Sequence, residues 1–180
     1  MNRPHLVLRA DDIQPFSHPD DPVYLSQHIL GRESVGLHDL FLNQGTVRAR
    51  SALGGGNHPD NDEIYYAVSG ESWVDLGGDP TTGDGSTTYR LLPGMVAFIP
   101  AGTFHRLRND GDVDFVLLTM WPQPSVEGAN PIHDARLKAW GTGLRLREGC
   151  GLVVAGDGSR VVQPDAGWDP RAESPAPLRG

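Results

Sequence analysis

The chain has 180 residues, 38% of them hydrophobic, and a formal net charge of −8. That length and apolar content suit one domain with a packed core and short extensions. The acidic balance argues against a nucleic-acid partner, and the single cysteine, Cys150, excludes an intrachain disulfide. The 23 glycines and 15 prolines mark frequent turns, as short strands require.

Residues 1–35 read as an N-terminal arm with one or two short strands or turns, such as Leu6-Val7-Leu8. The start, Met1 to His5, shows no apolar core followed by a small-residue cleavage site. No stretch of the chain approaches the roughly 20 apolar residues that span a bilayer. A soluble cytoplasmic protein with no membrane partner is therefore expected. Residues 36–122 carry a β pattern. Strands are expected at 38–42 and 47–53, with Asn43-Gln44-Gly45 as the turn between them. Gly54-Gly55-Gly56-Asn57 reads as a loop. Residues 63–68 and 72–76 flank Ser69-Gly70-Glu71, a hairpin signal. Residues 77–88, rich in Gly, Asp and Thr, read as an exposed loop. Four more strands are expected at 89–92, 95–99, 104–109 and 113–121. From 123 to 180 the pattern becomes an extension. It holds a helix at 134–140 ended by Gly141, an edge strand at 150–154, and a proline-rich tail over 164–180.

Chemistry concentrates in two stretches. One runs from His58 through Glu63 to Gly70, and the other from Gly94 through Pro100, Gly102 and His105 to Asn109. Successive side chains on a strand face opposite ways. Glu63, Tyr65 and Ala67 then share one face, and His105, Leu107 and Asn109 share another. If both faces turn inward, His58, Glu63 and His105 converge between the sheets. A buried glutamate is costly unless it is paired or holds a cation. Two neutral imidazoles and one carboxylate suit Fe(II), Mn(II), Ni(II) or Zn(II), and with open positions they make the facial triad of non-haem iron sites. Asn57, Asp60 and His38 are further candidate ligands. The competing reading of each histidine is a hydrogen-bonded structural residue.

These stretches resemble the two signature motifs of the cupin superfamily. Gly94, Pro100, Gly102, His105 and Asn109 fit the second motif at every fixed position. His58, Glu63 and Gly70 fit the first motif from its second histidine onward. Gly56 stands where that motif has its first histidine, and its leading glycine falls on Ser51. The resemblance implies an all-β fold, a double-stranded β-helix or cupin jelly roll. It also implies a metal held by His58, Glu63 and His105.

Arg48 and Arg50 lie two apart and share a strand face. If that face is the barrel interior, the pair would grip a substrate carboxylate; otherwise it is a solvated face. Tyr65 is a candidate catalytic residue that would donate to bound oxygen, or else an aromatic of the core. The expected function is a metal-dependent enzyme acting on a small organic acid or aromatic, with Fe(II) dioxygenase chemistry in the lead. An isomerase or lyase and a non-catalytic small-molecule sensor are the alternatives. Because sheet edges need covering, a homodimer is expected, with the arm and the extension adding strands to a neighbour.

Overall fold

The computed structural model describes residues 6–31, 37, 39–122, 131–141, 144–148, 151–154 and 160–163. In chain order the strands are β1 (Leu6–Val7), β2 (Phe16–His18), β3 (Asp21–Leu30), β4 (Phe41–Val47), β5 (Ser51–Ala52), β6 (Glu63–Ser69) and β7 (Ser72–Leu76). They continue as β8 (Thr87–Leu91), β9 (Val96–Ile99), β10 (His105–Asn109) and β11 (Phe115–Trp121). Helix α1 (Pro131–Trp140), β12 (Gly151–Val154) and β13 (Arg160–Gln163) follow. No described helix is long and apolar enough to cross a membrane.

Two compact units are present, Pro15–Leu144 and a second formed by Met1–Gln14 with Arg145–Gly180. In the second, β13 pairs in parallel with β1 and antiparallel with β12. The larger unit contains two antiparallel sheets. One has six strands in the order β2-β3-β4-β11-β6-β9, and the other four in the order β5-β10-β7-β8. This is the jelly roll expected from the sequence.

Alternation fixes what each strand buries. On β11, Phe115, Leu117, Thr119 and Trp121 are buried, and their odd-numbered register partners on β4 include Phe41, Asn43 and Val47. Glu63, Tyr65 and Ala67 of β6 and Leu107 and Asn109 of β10 complete the interior. The apolar cluster gathers Val47, Ala67, Val74, Leu91, Ile99, Leu107, Phe115 and Leu117 between the sheets. Asn109 closes that end, donating to the Val47 and Val113 carbonyls and accepting from the Gly111 amide. The β6–β7 hairpin turns on Gly70 at φ +73°, where a Cβ would meet the Asp114 carbonyl at 2.5 Å.

Two local expectations are corrected, and the burial of Phe104 adds a third finding. Asn43-Gln44-Gly45 is no turn: β4 runs through it unbroken. Asn43 survives in a central strand because its side chain accepts from Ser26 and donates to Tyr24 and Thr119. Gly45 leaves room for the Tyr24 ring, whose hydroxyl would lie 2.3 Å from any Cβ there. Residues 16–30, read as part of an arm, supply β2 and the ten-residue β3 to the large sheet. Phe104 points away from His105's face yet is 3% exposed. Its ring lies where Cβ atoms on Gly55 and Gly83 would be, so the 77–86 loop covers it. The 164–180 tail lies outside the described residues.

Candidate metal centre

Main-chain bonds bring the two histidine segments together. Gly102 donates its amide to the His58 carbonyl at 2.8 Å. Gly56 and His105 exchange both backbone bonds, at 2.8 and 3.2 Å, as an isolated antiparallel bridge. The turn at 100–102 is held by Asp62, which accepts from the Ala101 amide at 2.9 Å. Gly102 adopts φ +76°, the left-handed conformation this turn requires. β6 sets Glu63 opposite Ile99, on the neighbouring strand.

The side chains that result converge on one point. The Nε2 atoms of His58 and His105 lie 3.5 and 3.3 Å from the same Glu63 oxygen, Oε2. One potential ligand atom from each of the three lies within 4.8 Å of the others. The structure thus brings together His58, Glu63 and His105. Glu63 is 4% exposed, and its Oε2 accepts no hydrogen bond. Burial pushes its carboxyl pKa up to about 8, against a lowering hydrogen bond from Tyr65. Burial also lowers His105 to about 4, opposed by its Thr103 hydrogen bond and reinforced by His58. His105 Nδ1 lies 3.1 Å from the Thr103 carbonyl. A carbonyl only accepts, so Nδ1 carries the proton and Nε2 presents its lone pair toward Glu63. A buried carboxylate oxygen with no donor, facing a neutral imidazole lone pair, fits a divalent transition cation.

A cavity of about 500 Å³ adjoins this point. Tyr65, 6% exposed, sits edge-on to His105 at 6.1 Å between ring centroids. Burial, then the charge of Glu63, holds its phenol well above the usual range. The cavity also exposes residues the sequence reading missed. Tyr24, Asn43 and Thr119 form a hydrogen-bonded cluster of hydroxyl and amide groups on its wall, Asn43 and Thr119 buried and Tyr24 partly so. Trp121 lines it as well, and its buried indole Nε1 has no hydrogen-bond partner. The usable signal for Asn43 and Thr119 was alternation, because each shares a face with aromatic or aliphatic neighbours two residues away. Tyr24 carried no such signal.

Other candidates lie elsewhere. The Arg48 guanidinium pairs with Asp114 at 2.9 Å, and Arg50 pairs with Asp112; neither lines the cavity. β4 ends at Val47, so the alternation that placed both arginines inside stops before them. Arg50 has φ +55°, which turns the chain again. Asp60 is exposed and outside the convergent set. Asn57 lines the cavity with its amide nitrogen donating to the Pro80 carbonyl at 2.6 Å. His38 lies outside the described residues.

Residues 54–121 match the family model for the cupin domain. Protein SchB of Streptomyces halstedii is 27% identical over 124 residues, which cover 67% of this chain and 82% of SchB. A glucose-6-phosphate isomerase of Thermococcus onnurineus is 29% identical over 85 residues, 47% of this chain. The match spans 39% of the isomerase. Among solved structures, a predicted oxalate decarboxylase from Thermotoga maritima superposes with a TM-score of 0.55. That superposition covers 66% of this chain and 99% of the other at 21% identity, and it shows a shared fold.

Proposed function

We propose that this chain, whose residues 54–121 match the cupin domain, is a metal-dependent enzyme. Its barrel would hold one divalent transition ion on His58, Glu63 and His105 and act on a small organic substrate in the adjoining cavity. Oxygenase chemistry on Fe(II) is the leading form. One observation carries this reading: two imidazole nitrogens, at 3.3 and 3.5 Å, meet on a single buried carboxylate oxygen that accepts no hydrogen bond. The ion would supply Lewis acidity and, as iron, a redox couple.

The remaining work falls to the chain itself. The Thr103 carbonyl holds His105 in the ligating tautomer. Tyr65 keeps a phenolic proton on the Glu63 carboxyl group, beside the substrate cavity. Tyr24, Asn43 and Thr119 offer hydroxyl and amide groups to a substrate oxygen. The indole Nε1 of Trp121 is a further donor. Leu53, Leu107 and Ile132 cover a carbon skeleton and exclude water.

Isomerase chemistry is the second reading. Tyr65 favours it, as a buried phenol on the cavity wall that can donate a hydrogen bond to a carbonyl or enolate oxygen. The partial similarity to a glucose-6-phosphate isomerase points the same way.

Metal analysis of protein purified without chelator tests the proposal. About one equivalent of a first-row transition metal per chain is expected, lost in Glu63→Ala and His105→Ala. Full metal retention in both variants would end the assignment. Oxygen uptake after anaerobic Fe(II) loading, with a panel of phenols and hydroxy acids, separates oxygenase from isomerase. Ligand binding without turnover would reassign the barrel to sensing.

A further inference from the structure

We infer that a second copy of this chain docks on the outer face of the six-stranded sheet, over β9, β6 and β11, sheet against sheet. The inference is independent of the metal-enzyme reading. It also differs from strand addition by the arm or the extension.

The two sheets of the barrel expose opposite kinds of surface. On the four-stranded sheet the outward side chains are charged and paired within the chain. Arg106 donates to Asp75 at 2.9 and 2.7 Å, Arg108 to Asp110 at 2.9 Å, and Arg90 pairs with Glu71. Water and these ion pairs satisfy that face. On the six-stranded sheet Glu63, Tyr65 and Ala67 of β6 point inward, so Ile64, Tyr66 and Val68 point out. Register carries this outward set across the sheet. Phe98, Ile64, Met120 and Leu42 lie side by side on β9, β6, β11 and β4. Val96, Tyr66 and Leu118 form the next row, which ends at Gln44, whose amide donates to Gln27 at 3.0 Å. No charged side chain stands in either row. Val96 is 60% exposed, Phe98 57%, Val68 42% and Tyr66 39%. Among the described strands, β9 pairs with β6 alone and ends the sheet.

Scattered apolar residues on a surface need no partner, but contiguous rows mark an interaction site. The four most exposed side chains leave on the order of 350 Å² in water. Their half-buried neighbours and the polar border extend the face toward the about 800 Å² per partner of a standard interface. Aromatic and aliphatic groups at the centre, without charge, and glutamines at the edge are the make-up of an interface core and its rim. Charge then selects the occupant. The chain carries a net charge of −8, so two copies repel wherever their carboxylates face each other. Across these rows they meet without opposing charges. A different protein would be registered by charges complementary to its own, and the rows offer none. An anionic membrane surface would find no Lys or Arg in them. A two-fold dimer asks only for a self-complementary surface. Phe98 and Tyr66 stand on one diagonal of the two rows, and the smaller Val96 and Ile64 on the other. The rings of one copy then fill the low positions of its neighbour.

Sedimentation equilibrium of the full chain tests this. At about 50 µM chain, wild type should show twice the chain mass. Phe98→Glu puts one charge from each copy into the dry centre of the contact and should raise the dimer Kd about 100-fold or more. Val96→Lys, of the opposite sign and at the most exposed position of the rows, should do the same, which separates an effect of the face from an effect of net charge. Far-UV circular dichroism should match wild type in both. Arg90→Ala, on the outer face of the other sheet, should leave the dimer intact. A wild type that sediments at one chain mass overturns the inference. So does a dimer whose Kd is unchanged in Val96→Lys, which would move the contact to the arm or the extension, or one lost equally in Arg90→Ala. Metal stoichiometry should stay at wild type in all three variants, so failure of the dimer and failure of the metal centre are read separately.

Discussion

The two ends of the barrel are built by the same strands and obey opposite rules. Along β4, β6, β10 and β11, the inward residues at one end are Val47, Ala67, Leu107, Phe115 and Leu117, all buried and apolar. A few residues along the same strands, the inward positions become Asn43, Tyr65 and Glu63, His105, and Thr119. The first end stabilises the fold through burial. The second end buries a carboxyl group whose Oε2 has no hydrogen-bond partner, which opposes folding. A chain that tolerates this has its ligand set arranged before any ion arrives. Stability and chemistry are therefore separated by position along each strand and not by element.

Mutations at opposite ends should move metal binding and stability in different directions. Glu63→Gln removes the anionic ligand, and metal affinity should fall by more than about 100-fold. The metal-free variant should melt at or above the wild-type temperature, because a neutral amide replaces a buried acid. A lower melting temperature with unchanged metal content would erase the distinction between the ends. Leu117→Ala, at the apolar end, should cost about 2–5 kcal/mol in denaturant unfolding. Its metal stoichiometry should stay at wild type.

pH sharpens the contrast. Folding raises the Glu63 pKa to about 8, above its ordinary value, so the native metal-free protein binds a proton that the unfolded chain releases. Stability from this group is complete below the ordinary carboxylate range and is lost as pH rises toward 8. His105, lowered to about 4, acts oppositely: its contribution is present above the ordinary imidazole range and is lost as pH falls through 4. The two contributions offset each other between about pH 4.5 and 6.5, so the metal-free protein should lose stability between about pH 6.5 and 8, and metal should restore it there. Metal affinity should weaken by about tenfold per pH unit below 8, read by competition with a chromophoric chelator.

Smaller effects locate the boundary between the ends. Tyr24→Phe removes the hydroxyl that Asn43 donates to, and should cost about 1 kcal/mol while leaving metal content unchanged. It should raise KM more than it lowers kcat. Arg48→Ala should cost under about 1 kcal/mol, because its ion pair with Asp114 is exposed to water. It should not alter substrate or metal binding. A large KM change in this variant would return the arginine to the site.

The legibility of the sequence followed the same division. His58, Glu63 and His105 could be read because turn glycines fixed the strand starts and alternation did the rest. The two inward faces were correctly separated at Glu63–Tyr65–Ala67 and His105–Leu107–Asn109. Asn43 was misread because Asn-Gln-Gly is locally good turn chemistry. What keeps it in a strand is a set of partners 17, 19 and 76 residues away, Ser26, Tyr24 and Thr119. No local rule contains them. Tyr24 entered the site through β3, a ten-residue strand hidden in a stretch that reads as an irregular arm. Arg48 and Arg50 failed for the reverse reason: a period of two was carried past the strand's last residue.

The bonds from Gly102 to the His58 carbonyl and between Gly56 and His105 are made by peptide groups and not by side chains. The frame around His58, Glu63 and His105 therefore does not depend on which residues project from it. Treatment with a chelator should therefore leave the scaffold standing, ready to take a different cation without refolding. New ligand chemistries can be tried at 56, 58 or 105 while the peptide lattice stays in place.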